Sequence, residues 1–288
     1  MKTTVTRIIF AVLSLIICCV MVFTLCPEES SASANYKETK LPVLMYHHIM
    51  EKGKLIGDYC ITPSQFEEDL KYIKDKGYTT VSADDLLEFY YNKIPLPEKP
   101  IMITFDDGYE SSYVYAFPLL KKYNMKAIIS IIGNYSDLYS NIPTNEKDVS
   151  YSHITWEQAK IMQNSKLIEI GNHTYNHVDI SKISDEEAVS EIRKTNQVIE
   201  KVTKENVEYL RAPFGSWKKN LIGRMDVFPV AWSIDPLDWT TENTDEIVNK
   251  VVTEVKENDI ILMHDCYQSS VDAALRIIDI LQKEGYEF

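Results

Sequence analysis

Apolar residues in this chain fall into short continuous runs separated by stretches of helical period. The runs at residues 42–46, 79–81, 101–105, 126–132, 167–170, 207–210, 227–234 and 259–263 do not alternate with polar residues, which predicts strands buried on both faces. Between them, apolar residues three and four apart predict helices. Phe66, Leu70 and Ile73 follow a capping pattern at residues 64–67 opened by Ser64, and Gly77 ends that helix. Leu86, Leu87 and Tyr90 follow Ser82, while Phe117, Leu120 and Tyr123 mark a helix over residues 113–123. A short helix is predicted over residues 156–163, and a longer one behind the capping box at residues 184–187 carries Val189, Ile192, Ile199 and Val202. Thr244 is placed as the cap of a helix bearing Ile247, Val251 and Val255, and a last helix over residues 271–283 precedes a strand starting at Tyr286. Residues 92–100, with three prolines, read as a surface connection. Residues 134–154 show no period and predict a long rim loop, a length that in a compact domain often carries function.

Strand and helix alternate throughout, which implies parallel strands joined by right-handed crossovers. Residues with chemical potential stand at the C-terminal ends of those strands: His47, Asp106, Asp107, His173, Arg211, Asp235 and His264. A ring of such residues predicts an α/β fold of the distorted (β/α) barrel kind, a single domain over residues 42–288 with its site at the mouth. A doubly wound open sheet would gather them at one switch point instead.

The N-terminal end changes the picture of where this domain works. Lys2 and Arg7 precede an apolar run over residues 8–25, and Ser31, Ala32, Ser33 and Ala34 follow. Residues 1–34 therefore read as an export signal or an uncleaved membrane tether, with residues 35–41 as linker and an extracytoplasmic domain beyond. No small residue precedes Cys18, Cys19 or Cys26, which argues against a lipid-modified cysteine. The formal net charge is −13. The N-terminal segment carries two bases and two acids, so the domain keeps that balance, and such a surface excludes nucleic acid as a partner. Nothing in the sequence calls for an obligate protein partner. Cys60 and Cys266 could pair in an oxidising compartment or be unrelated thiols.

The sharpest chemistry lies at the end of the run at residues 101–105. Asp106 and Asp107 are adjacent carboxylates, and in a strand they would point to opposite faces. Where the strand breaks at Gly108, both can reach one cleft. Two such charges repel, and a metal ion would resolve the conflict with one aspartate as ligand and the other as base. His173 and His177 are four apart, so on one helical turn they share a face. Two histidines and one aspartate make a three-ligand site with an open position, which suits zinc and also Mn, Fe, Ni or Co.

Five short motifs in order resemble the polysaccharide deacetylase family, the NodB homology domain of carbohydrate esterase family four. They begin at Thr104, His173, Arg211, Asp235 and Ile261, and the likeness runs from about Pro42 onward. Three positions depart from the family pattern: Val178 stands where proline is usual, Phe214 where tyrosine is common, and Ile261 where leucine is. The stretch at residues 42–48 looks most like the poly-N-acetylglucosamine deacetylase branch. The resemblance implies removal of acetyl groups from an N-acetylglucosamine polymer, whether peptidoglycan, a chitin-like chain or poly-N-acetylglucosamine. It implies Asp107, His173 and His177 as ligands of a divalent ion, zinc first, and Asp106 as general base paired with Arg211. It further implies the Phe214 N–H on the oxyanion, and His264 as general acid steadied by Asp238 or Asp235. Trp239 and Leu262 would line the acetyl pocket, and Tyr109 and His47 would stand beside the substrate. In the poly-N-acetylglucosamine branch an N-terminal histidine serves as the acid, so His47 is the alternative to His264. An O-acetyl xylan esterase and a glycan-binding pseudoenzyme are the other readings, and the second is disfavoured because Asp106 and all three ligands are present.

Overall fold

Among the described residues, the continuous apolar runs up to residues 227–234 contribute strands to one parallel sheet. The computed structural model describes residues 41–51, 60–221, 223–224, 227–229, 232–256, 261–264 and 267–285. In chain order these are β1 (Val43–Tyr46), β2 (His48–Ile49), β3 (Cys60–Ile61), α1 (Pro63–Asp75), β4 (Thr79–Thr80), α2 (Ala83–Asn92) and β5 (Pro100–Phe105). There follow α3 (Phe117–Tyr123), β6 (Ala127–Ile131), α4 (Gly133–Asn141), α5 (Trp156–Asn164), β7 (Ile168–Asn172), α6 (Asp185–Thr203), β8 (Tyr209–Leu210), β9 (Phe228–Pro229), α7 (Thr244–Glu254) and α8 (Gln268–Lys283). The strand order is β1-β5-β6-β7-β8-β9, with β4 paired to the start of β5. Every strand pair is parallel, and a further parallel bridge joins Ile234 to Ile261. The sheet curls into a half-barrel, in agreement with the predicted architecture.

Register decides which residues share the mouth. Tyr46 lies opposite Phe105, Phe105 opposite Ile129, Ile131 opposite Asn172 and Asn172 opposite Leu210. The residues that follow these ends are therefore brought side by side: His47, Asp106, His173 and Arg211. All six residues of β5 are buried, and Phe105 packs edge-on against Phe66 of α1. Each such side chain contributes about 1.5–3 kcal/mol by leaving water, so the strand that carries the two aspartates is among the most firmly held.

Several predicted boundaries move. The cap of α1 is Thr62, not Ser64: its hydroxyl accepts from Gln65 N, and the Gln65 side chain accepts from Thr62 N at 2.8 Å. Pro63 then takes the first helical position, where its missing N–H is not needed. Asn243 caps α7 in place of Thr244. The helix predicted from Tyr113 opens with a π-turn, Ser112–Ala116, in which Phe117 N–H reaches back to Ser112 O ahead of Pro118, which has no N–H to give. The largest change is at residues 134–154, where the predicted loop contains α4. Its sequence is too polar for a clear apolar stripe, and its ties are hydrogen bonds: Asp137 accepts from Trp156 Nε1 at 2.7 Å and from Tyr175 Oη at 2.6 Å. The strand predicted from Tyr286, the partner cysteine Cys266 and the export segment lie outside the described residues.

Candidate active site

Asp106 still belongs to the ladder, its N–H donating to Tyr46 O at 2.9 Å. Asp107 and Gly108 both take left-handed backbone, with φ of 67° and 68°. Aspartate tolerates that conformation better than most residues. The turn predicted at Gly108 thus begins one residue earlier, and it breaks the alternation that would have pointed the carboxylates apart. Gly108 is also needed for space, since a Cβ there would meet Ile131 Cγ2 at 2.9 Å.

Asp107 Oδ1 lies 3.4 Å from His173 Nε2 and 3.3 Å from His177 Nε2, and one ligand atom from each residue falls within 4.8 Å of the others. Donor atoms held about 2.0–2.2 Å from a tetrahedral ion sit roughly 3.3–3.5 Å apart, so the spacing fits a small divalent cation. His173 Nδ1 faces Arg211 O at 2.8 Å, which fixes the tautomer and leaves Nε2 toward the site. The helical turn expected to align the histidines is absent. Thr174 and His177 have φ of 64° and 53°, and the segment is a bent loop. Asn172 Oδ1 holds it by accepting from Thr174 N at 2.7 Å. Burial opposes charge on Asp107, but hydrogen bonds from His173 and His177 and the nearby positive charge outweigh it and hold the carboxyl well below its usual range. Burial likewise opposes charge on His173, and Asp107 with Asp106 turns the balance upward.

Arg211 Nε stands 3.7 Å from Asp106 Oδ2. Both residues are buried, and Arg211 is wedged between the rings of Tyr209 and Trp232, donating from Nη2 to Tyr209 Oη at 2.9 Å. Asp106 Oδ1 is buried and has no hydrogen-bond partner among the described residues.

His264 Nδ1 meets Asp238 Oδ1 at 2.7 Å, and His264 N–H donates to Asp238 Oδ2 at 2.7 Å. Asp238 is fully buried. Asp235, the other expected support for this imidazole, is elsewhere: its Oδ1 accepts from Leu237 N at 2.9 Å and shapes the turn in which Leu237 has φ 56°. His47 lies parallel to His264 with ring centres 6.3 Å apart. Phe214 has φ 59°, is 67% exposed, and packs 4.9 Å from the His177 ring. Trp239 is exposed, Leu262 is buried with its N–H on Ile234 O, and Tyr109 stacks on His48 at 4.3 Å. Sequence reasoning missed Tyr209, Trp232 and Asp137, which hold the site but stand outside the motif pattern.

A family model described as Polysaccharide deacetylase matches residues 93–228. That span holds Asp106, Asp107, His173, His177 and Arg211. The chain is 29% identical over 191 residues to the peptidoglycan-N-acetylmuramic acid deacetylase PdaC of Bacillus subtilis, covering 66% of this chain and 37% of that protein. It is 25% identical over 238 residues to a peptidoglycan-N-acetylglucosamine deacetylase of Bacillus cereus, covering 80% of each. The solved structure of the Streptococcus pyogenes deacetylase PplD in complex with acetate superposes with a TM-score of 0.55 at 25% identity, covering 64% of this chain and 78% of that one. Over residues 93–228 the chain matches the polysaccharide deacetylase family, and its curled parallel sheet is the fold of the solved deacetylases it superposes on.

Proposed function

We propose that this protein is a metal-dependent N-deacetylase acting outside the cytoplasm on a polysaccharide that contains N-acetylglucosamine. The observation that carries this reading is the unequal setting of the two aspartates. Asp107 is committed to two histidines, while Asp106 keeps one buried carboxylate oxygen without a partner. A buried acceptor left open next to a cation site is what a general base requires. Asp107, His173 and His177 would hold the ion, and their one-oxygen, two-nitrogen set favours zinc over Co, Mn, Ni or Fe. When bound, the ion polarises the acetyl carbonyl and makes water more acidic.

The chain's own groups do the rest. Asp106 Oδ1 takes the proton of the attacking water, and Arg211 holds Oδ2 so that the base stays oriented. The Phe214 N–H is the backbone donor assigned to the oxyanion. His264 delivers a proton to the leaving amine, because Asp238 occupies Nδ1 and leaves Nε2 to donate. His47 lies beside that imidazole, Leu262 and Trp239 border the acetyl group, and Tyr109 backs the aspartate turn. The test is acetate release from peptidoglycan, N-acetylglucosamine oligomers, poly-N-acetylglucosamine and acetylxylan by protein loaded with zinc. Release from an N-acetylated glycan is expected. Release from acetylxylan alone would make it an esterase, and release from none would make it a glycan-binding pseudoenzyme.

A further inference from the structure

The wall beside Asp107 contains an aromatic stack that the five motifs do not include. It starts inside the protein at His48, whose Nδ1 meets Ser111 Oγ at 2.6 Å and whose Nε2 meets Ser150 O at 3.1 Å. Tyr109, two residues after Asp107, lies flat on His48, with centres 4.3 Å apart and planes 6° off parallel. His153 follows at 4.8 Å, and Tyr135 at 4.4 Å from His153. Tyr139, one turn along α4 from Tyr135, grips the same imidazole at 5.4 Å. His153 is buried, its Nδ1 has no hydrogen-bond partner among the described residues, and burial pulls its pKa down to about 4. It serves here as a neutral filler between rings. Tyr135 is the outer end of the stack and is 40% exposed.

The helix that carries Tyr135 is bolted to the loop of the metal-ligating histidines. Gly133 N donates to Thr174 O at 3.2 Å and Asn134 N to Tyr175 O at 2.8 Å. Asp137 accepts from Tyr175 Oη, and a Cβ on Gly133 would run into the Tyr175 ring at 2.7 Å. Tyr135 is therefore a rigid, half-wet aromatic face at a set place relative to His173 and His177, and the exposed Phe214 ring stands against His177 from another element. A ring that is fixed before binding loses little freedom when a ligand stacks on it.

We propose that Tyr135 is a sugar-binding platform for a residue of the glycan next to the one being deacetylated, so that the enzyme favours longer chains. This rests on the N-deacetylase reading for the class of ligand, an N-acetylated amino-sugar polymer. The platform acts on binding of neighbouring sugars, so its signature is a dependence on chain length.

Two measurements test it with β-1,4- and β-1,6-linked N-acetylglucosamine oligomers from dimer to hexamer. Calorimetric binding is measured on the Asp106→Asn protein with and without Tyr135→Ala, and acetate release on the protein with and without Tyr135→Ala. Affinity is expected to rise with length, and Tyr135→Ala to flatten that rise, weakening the hexamer roughly five- to tenfold. The ratio of KM between variant and parent should grow with length while kcat moves much less. Tyr135→Phe should keep the effect, and His153→Ala, which removes the backing ring, should lose part of it where His153→Phe does not. Equal losses at every length, or no loss at any, would overturn the platform. Length-dependent binding that Tyr135→Ala abolishes, in a protein that releases no acetate, would uphold the platform and overturn the catalytic reading. Absence of binding by the Asp106→Asn protein at every length would overturn the platform whatever the turnover.

Discussion

The two ends of β7 each hold an ionisable cluster, and the clusters behave in opposite ways. At the end of the strand, His173 meets Asp107, and the carboxyl is held well below its usual range because imidazoles converge on it against the penalty of burial. At its start, Glu169 is also shielded from water, yet it is pushed up to about 8 by that burial and by the charges of Asp84 and Glu208. Its Oε2 accepts from Ala83 N at 2.8 Å and Asp84 N at 3.4 Å, at the N-terminus of α2, and these two donors do not offset the repulsion. A perturbed carboxyl is thus no mark of a site by itself. What separates the two ends is convergence: side chains from four strand ends meet at the mouth, whereas Glu169 ties a helix terminus to the sheet.

The largest effects that would break this contrast belong to the mouth. Asp106→Asn is expected to lower acetate release by about 10²–10⁴-fold while the protein still binds one divalent ion. His173→Ala and His177→Ala should lose ion and activity together. Elemental analysis of the purified variants separates the two outcomes, and ion loss in Asp106→Asn with retention in Asp107→Asn would reverse the roles. Next is the acid. His264→Ala should fall by roughly 10²-fold or more on the amide and recover on an acetyl ester with a good leaving group, which needs no proton. Rescue in His47→Ala instead would move the acid to the N-terminal histidine.

Smaller effects sharpen the contrast through stability. Gly133→Ala should unfold about 1–3 kcal/mol more easily in urea, because the added methyl meets the Tyr175 ring. Glu169 supplies the smallest effect and the one with a sign to check. Its folded pKa of about 8 lies above the ordinary value of 4.5, so between these values the native state keeps a proton that the unfolded chain has lost. Stability from this group is therefore full below the lower value, falls as pH rises through the window, and stays reduced above the upper one. Glu169→Gln keeps the acceptor for Ala83 N and removes the charge. It should melt a few degrees higher than the parent at alkaline pH, on the order of 1–3 kcal/mol, and show no gain in acid. A gain in acid, or none at alkaline pH, would mean that Glu169 is not held protonated.

Much of the fold, and the candidate residues of the site, are legible in local sequence. Continuous apolar runs, helical periods and capping residues are local, and they placed the parallel strands, α2, α6 and α8 to within a few residues. Candidate site residues could be gathered as well, because strand ends in a parallel α/β fold are the places from which side chains reach the mouth. Thr62, Asn243 and Ser64 illustrate what local reading confuses: any of several hydroxyl or amide residues can cap, and packing beyond the first turn selects one. Helix α4 was illegible for a deeper reason, since its stability comes from Asp137 reaching Trp156 and Tyr175, partners 19 and 38 residues away.

The sequence by itself determined the order of elements, the identity of the chemically able residues and the end of the sheet where they gather. The tertiary structure decided the pairings among them: Asp238 rather than Asp235 on His264, Arg211 on Asp106 with Tyr209 and Trp232 around it, and a bent loop rather than a helical turn to aim His173 and His177. Periodicity and composition are sums over neighbours in the chain and survive without contacts. A hydrogen bond between residues tens of positions apart depends on the curl of the sheet and on left-handed turns at Asp107, Thr174 and His177, which aspartate and histidine tolerate but do not require and which the surrounding packing holds in place.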